Sequence, residues 1–149
     1  MHVTRLRALA ASLALLAGGV ALVNVSRADA ANPKVCAMLS ASELRGWFGK
    51  EMTVSKLPGI VDCQWVPAAG SDGSLTVQIV SARYYEEPSL AKGFTKLRGI
   101  GDGGFVAKDF PKWRAGAWKG KKAVMIGVDG EKTTRETAIA ILKTLVRKI

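Results

Sequence analysis

The sequence predicts an α+β domain, in which an antiparallel sheet of about five or six strands is packed by a short N-terminal helix and a C-terminal amphipathic helix. Three patterns support this class. Capping signals mark a helix near each end of the chain behind residue 30, alternating apolar residues mark strands between them, and short turn-rich loops join those strands. Such short loops favour antiparallel pairing, because a parallel pair needs a long crossover.

The first helix is predicted over about Ala41 to Phe48. Ser40 and Glu43 have the spacing of a capping box, in which a hydroxyl and a carboxylate satisfy unpaired amides at a helix start. Apolar residues follow at helical spacing, and Gly49 is a natural C-cap.

Six segments carry strand patterns: Met52–Leu57, Ile60–Val66, Leu75–Ile79, Phe105–Lys108, Trp113–Lys119 and Ala123–Val128. Leu75, Val77 and Ile79 alternate with polar residues, which is typical of a half-buried strand. The last two segments form a predicted hairpin that turns near Gly120. Glu86–Arg98 is ambiguous, since it fits either a short helix or a mobile loop.

Residues 99–104 formally match the glycine pattern G-x-G-x-x-G. A dinucleotide site needs that pattern between a strand and a helix, whereas here it precedes a strand. We therefore interpret it as a tight turn in which Asp102 caps free amides.

The C-terminal helix has the clearest pattern. Thr133 and Glu136 have capping-box spacing. An apolar stripe then recurs at helical spacing, formed by Ala138, Ile141, Leu142, Leu145 and Ile149. Lysine and arginine residues occupy the other side, so the stripe is expected to pack on the sheet.

Residues 1–30 have the features of a secretory signal peptide. A basic start leads into the apolar run Ala8–Val25, and Ala28-Asp29-Ala30 matches a cleavage site, which leaves residues 31–149 as one secreted domain. We expect cleavage and a periplasmic or extracellular location, rather than an uncleaved anchor. Cys36 lacks the small residues that lipoprotein processing requires before a cysteine.

Charge and histidine content restrict the function. The chain carries +10, of which the signal segment contributes +2, so residues 31–149 carry +8. This surplus favours an anionic envelope polymer, a lipid headgroup at a peripheral membrane contact, or an acidic protein; an exported protein is not expected to bind nucleic acid. The only histidine, His2, lies in the signal segment, so neither a metal, a cofactor nor histidine-based catalysis is expected.

Cys36 and Cys63 fit a structural disulfide in an oxidising compartment. The alternative is a redox or nucleophilic thiol, which would need a close cysteine pair or a nearby base.

The predicted last hairpin mixes aromatic and basic side chains. The residues proposed to bind a ligand are Arg114, Trp118, Lys119, Lys121 and Lys122, since tryptophan stacks on sugar rings and cations hold phosphate or carboxylate. The alternative is a hairpin with its tryptophans in the core and its lysines in water. Trp113 and Trp118 are expected on opposite faces, so at most one is core.

Several of these residues carry a family resemblance. Cys36 before a capped helix, Cys63-Gln64-Trp65 on a strand and Gly99-Ile100-Gly101-Asp102 before another strand resemble the small bacterial envelope domains of unknown function with a Cys…Cys-x-Trp…Gly-x-Gly-Asp layout, many of them lipoproteins. The resemblance implies that Cys36 pairs with Cys63 and that Trp65 packs beside the bridge. It implies no catalytic residue.

The sequence thus favours an exported, non-enzymatic envelope protein that binds or supports another envelope component through its basic aromatic hairpin. The alternative is a small hydrolase or carrier that uses carboxylates. The adjacent acids Glu86 and Glu87 give this alternative little support, because neighbours on a strand point apart.

Overall fold

A computed structural model describes residues 31–56 and 61–149. The predicted signal peptide lies outside the described residues. The described elements, in chain order, are α1 (Pro33–Cys36), α2 (Ala41–Phe48), β1 (Met52–Val54), β2 (Cys63–Pro67), β3 (Ser74–Ser81), a 3-10 turn (Ala82–Tyr84), β4 (Thr95–Leu97), β5 (Gly103–Asp109), β6 (Lys112–Lys119), β7 (Lys122–Asp129) and α3 (Arg135–Val146).

The strands form one antiparallel sheet in the order β1-β2-β3-β7-β6-β5-β4. Two meanders meet at the centre, where β3 pairs with β7 along its whole length, from Ser74 opposite Asp129 to Ser81 opposite Lys122. This arrangement confirms the α+β class, the antiparallel sheet and the helices near both ends.

The sheet has seven strands rather than five or six. The additional strand, β4, lies in the segment predicted as either a helix or a mobile loop, and Leu97 pairs with Gly104 of β5. Its neighbours Pro88 and Gly93 break helical continuity, and Gly93 adopts a φ of +65°. Pairing with β5 therefore decided the conformation of a stretch whose local pattern was ambiguous.

One face of the sheet carries the main hydrophobic core. Val124, Ile126 and Val128 of β7 are buried there, as the alternation predicts. Helix α3 packs against β5, β6 and β7 and buries Ile141 and Leu142 of its apolar stripe. Lys143, Arg147 and Lys148 lie on the exposed side of this C-terminal segment, as the stripe predicts.

A long connection crosses part of the opposite face. The Tyr85 hydroxyl donates to the Gly116 carbonyl of β6 at 3.2 Å. The rings of Tyr85 and Phe94 lie 6.0 and 6.1 Å from the ring of Phe105. Burial, with a smaller contribution from the negative charge of Glu87, raises the pKa of the Tyr85 phenol, which keeps its proton for this hydrogen bond.

Helix α2 begins and ends as the sequence predicts, and Ser40 and Glu43 form the capping box. The predicted cap of α3 is wrong by one residue: the N-cap is Thr134, and its partner is Thr137 rather than Glu136. The reason is that the Thr133 hydroxyl is engaged elsewhere, since it donates to the Gly130 carbonyl at 2.6 Å.

Cys36 and Cys63 form a disulfide, with their Cα atoms 5.3 Å apart. The bridge joins the end of α1 to the first residue of β2, where Cys63 is fully buried. Trp65 lies two residues further along the same face of β2 and belongs to the same hydrophobic cluster. The bridge is compatible with an oxidising compartment.

Candidate anion-binding surface

The β6–β7 turn is held by the glycine-rich turn that precedes β5. The Asp102 carboxylate accepts a hydrogen bond from the Gly120 amide at 2.7 Å, and the Asp102 amide donates to the Trp118 carbonyl at 2.8 Å. Gly99 and Gly101 have φ of +73° and +60°. The predicted tight turn and the capping role of Asp102 are both confirmed.

The two tryptophans of β6 lie on opposite faces of the sheet, as predicted. Trp113 packs against the hydrophobic core. Trp118 is half-buried on the other face, where its indole covers Gly103; a Cβ atom at that glycine would lie 2.9 Å from the indole nitrogen. Part of the Trp118 indole therefore packs against Gly103, and only the rest of its surface is accessible to a ligand.

Lys119 caps the end of the chain rather than extending freely into solvent. Its ammonium donates to the main-chain oxygens of Val146 and Ile149, each at 3.4 Å. A cation near the Val146 carbonyl, where α3 ends, complements the negative end of the helix dipole.

Lys121 and Lys122 are exposed, and neither side chain has an ion pair or a hydrogen bond within the described residues. Lys122 lines a cavity of about 350 Å³ together with Lys34 from α1 and Lys148 from the C-terminal segment. Cations from three separate parts of the chain therefore meet at one end of the sheet.

The acids near these lysines are already engaged. The Asp62 carboxylate, on the rim of the same cavity, accepts from the Ile79 amide at 2.6 Å. Glu43 lies 3.3 Å from the Lys148 ammonium. The Ser40 amide, with further help from the Ser40 hydroxyl and Lys148, holds the pKa of Glu43 below its usual value. Lys148 is neutralised by this pair, whereas Lys34 has no such partner within the described range.

An exposed aromatic ring lies beside the turn. The Ala82 amide donates to the Lys121 carbonyl at 2.9 Å, which places the next two residues near the lysines. The Arg83 guanidinium stacks 4.6 Å from the centre of the Tyr84 ring, and Tyr84 is 64% exposed. We call Lys34, Arg83, Tyr84, Lys121 and Lys122 the basic end.

Arg114 lies apart from the basic end. It is four residues from Trp118 along β6, which is roughly 13 Å at strand spacing. Its guanidinium is 3.7 Å from Asp109. The structure thus brings Lys121 and Lys122 together with residues that sequence reasoning missed, Lys34, Arg83 and Tyr84. No local pattern connects these positions, because they meet only through the pairing of β3 with β7 and the packing of α1.

The carboxylates of the alternative function are dispersed. Glu87 pairs with Lys96 at 3.4 Å. Asp72 and Glu131 line one cavity of about 260 Å³, which also includes Lys50 and Lys132. Within residues 31–56 and 61–149 no cluster of three or more histidine, cysteine, aspartate or glutamate side chains could hold a metal ion. In the same ranges no helix is long and apolar enough to cross a membrane.

A scan against protein-family models, a search of curated proteins and a search of solved structures each found no match to this chain.

Proposed function

We propose that this protein is an exported, non-enzymatic binding domain whose basic end holds an anionic polymer of the cell envelope. The observation that carries the proposal is the charge arrangement at that end. Lys34, Lys121 and Lys122 have no ionic partner in the described part of the chain, while the nearby Asp62 and Asp102 carboxylates bind backbone amides. Unpaired cations on one surface attract polyanions.

The aromatic component favours a polymer that contains sugar rings. Tyr84 offers an exposed ring face, and Arg83 stacked on it offers planar donors for phosphate or carboxylate. The chemistry of this surface therefore matches alternating rings and acidic groups. The disulfide supports export, since such bridges persist in oxidising compartments.

The test measures binding to dextran sulfate as an anionic sugar polymer, with uncharged dextran as the control ligand. The Lys121→Gln/Lys122→Gln variant removes two unpaired cations. Exposed ion pairs contribute about 0.5 kcal/mol each, so the dissociation constant is expected to rise about fivefold and its salt dependence to weaken.

The matched control is Lys50→Gln/Lys132→Gln. These lysines line a cavity near the opposite end of β7, so this variant has the same net charge but an intact basic end. It is expected to bind as the unmodified protein does. If both variants bind equally weakly, binding depends on net charge alone, and this result would contradict a defined site.

A further inference from the structure

Exposed apolar side chains lie in the hairpin that joins β5 to β6 and in the connection that precedes β4. Phe110 is 88% exposed, and Leu90, in the connection that crosses the sheet, is fully exposed. Between these segments lies an open cavity of about 740 Å³, whose lining includes Ala91, Lys92, Lys108, Phe110 and Trp113. We call Leu90, Lys92, Lys108, Phe110 and Trp113 the aromatic tip.

Main-chain and ring contacts hold the aromatic tip in place. The Lys108 amide donates to the Lys92 carbonyl at 2.8 Å, which fastens the connection to the hairpin. The Lys108 ammonium lies 4.5 Å from the centre of the Trp113 ring and 5.9 Å from that of Phe110, and it donates to the Pro111 carbonyl at 3.3 Å. The exposed Phe110 ring and the half-buried Trp113 ring thus flank one cation before any partner binds.

The charge of this region is positive. Residues 90–93 and 108–114 contain four cations, Lys92, Lys108, Lys112 and Arg114, and one acid, Asp109, so they sum to +3. Asp109 is paired with Arg114. Lys92, Lys108 and Lys112 have no ion pair within the described residues, so this region presents uncompensated positive charge to a partner.

This combination distinguishes the aromatic tip from the basic end. A hydrophilic polyanion would contact the lysines but would leave Leu90 and Phe110 in water. A bilayer with anionic headgroups offers a contact to the apolar side chains and to the lysines at once. The apolar side chains enter the boundary of the acyl chains, while the lysine ammonium groups remain beside the phosphates.

We propose that the aromatic tip docks this protein on the surface of a bilayer that contains anionic phospholipid, with Phe110 and Leu90 entering the acyl boundary and Lys92 and Lys108 contacting phosphate. This inference goes beyond the proposed polymer-binding function, because it uses a different surface at the other end of β6.

The test measures cosedimentation with vesicles of equal parts phosphatidylcholine and phosphatidylglycerol, and with vesicles of phosphatidylcholine alone. We expect binding to the anionic vesicles and much weaker binding to the neutral ones. Phe110→Ser should weaken partitioning by about tenfold, which is the scale of burying one large apolar side chain. Because Phe110 is exposed, this variant should keep the thermal stability of the unmodified protein.

Tyr84→Ser is the matched control, since it removes an exposed ring from the basic end and should leave vesicle binding unchanged. Phospholipids with brominated acyl chains should quench tryptophan fluorescence of the unmodified protein, and Trp113→Phe should remove most of that quenching. This second readout places the tip at the acyl boundary.

Three results would overturn the proposal: unchanged vesicle binding in Phe110→Ser, equal binding to neutral and anionic vesicles, or loss of binding in Lys121→Gln/Lys122→Gln alone. If the protein binds no vesicles but binds uncharged dextran, and Phe110→Ser abolishes that binding, the aromatic tip is a carbohydrate site instead. Failure of dextran sulfate binding would contradict the proposed function and leave the vesicle result standing.

Discussion

At the scale of single residues, the close approach of two backbone segments leaves no room for a side chain at Gly101. Gly101 has a φ of +60°, and a Cβ atom there would overlap the Trp118 carbonyl oxygen. That same carbonyl accepts the Asp102 amide, so it cannot withdraw without breaking the contact that fastens the two turns together. A side chain at position 101 would therefore meet both the strain of a positive φ and a steric block.

We predict that Gly101→Ala lowers the free energy of unfolding by about 3 kcal/mol, because positive-φ strain and backbone overlap act together. Gly99→Ala is the matched control: it has a φ of +73° but open space around the new methyl group, so its loss should be about 1 kcal/mol. Urea unfolding of both variants measures the difference. Equal losses would mean that overlap with Trp118 contributes nothing.

The lysines predicted to bind a ligand also separate at this scale. Lys119 donates to the main-chain oxygens of Val146 and Ile149, whereas Lys121 and Lys122 extend without partners among the described residues. Lysines two and three positions apart thus have different roles, because Lys119 reaches the main-chain oxygens at the end of α3.

At the scale of elements, the N-terminal end of α2 is tied to the C-terminal end of the chain. Glu43 caps α2 through the Ser40 amide at 2.7 Å and also pairs with Lys148, whose ammonium donates to the Met38 carbonyl as well. One carboxylate therefore stabilises a helix start and a long-range contact.

This carboxylate makes stability depend on pH. Because the pKa of Glu43 is lower in the folded state than its ordinary value of 4.5, its contribution is present above that value and is lost as pH falls through the folded pKa. Glu43→Gln keeps a capping side chain without the charge. We expect it to cost less than about 1 kcal/mol at neutral pH, since the pair is partly exposed.

The measurement is urea unfolding of Glu43→Gln and the unmodified protein across the acid range. Their difference should shrink as pH falls below 4.5, and raised salt should reduce the part that Lys148 supplies. A difference that stays constant into strong acid would show that the charge of Glu43 contributes nothing.

At the scale of the whole molecule, the disulfide ties the N-terminal segment to the sheet. The bridge spans 27 residues and connects α1 to β2. It holds α1 where Lys34 lines the same cavity as Lys122, so the position of Lys34 in the basic end depends on this bridge.

We predict that Cys36→Ala/Cys63→Ala lowers the free energy of unfolding by roughly 3–4 kcal/mol, the chain-entropy value for a loop of this size. Chemical denaturation with and without reducing agent measures the loss. Reduction should bring the unmodified protein close to the variant and leave the variant unchanged. If the variant matches the oxidised protein in stability, the bridge has no structural role.

The two proposed surfaces lie at opposite ends of β6, a strand of eight residues. Lys112 begins the strand next to the aromatic tip, and Lys119 ends it next to the basic end, roughly 23 Å apart at strand spacing. The two proposals together assign bilayer contact to one end and polymer binding to the other, and the separate variants test each end independently.

The sequence by itself determined the local elements. The bounds of α2, the alternation in β7 and the opposite faces of Trp113 and Trp118 follow from interactions within a few residues. Capping, periodicity and glycine conformation all act at that range, so the pattern alone is sufficient.

Only the tertiary structure decided which side chains meet. Lys34 and Lys121 are 87 positions apart, and the pairing of β3 with β7 and the packing of α1 gather the basic end. Strand β4 forms because its backbone pairs with the edge of β5. Phe110 is exposed because no distant segment packs over its side chain in the described part of the chain. These outcomes depend on contacts between distant segments, and periodicity within one segment carries no information about them.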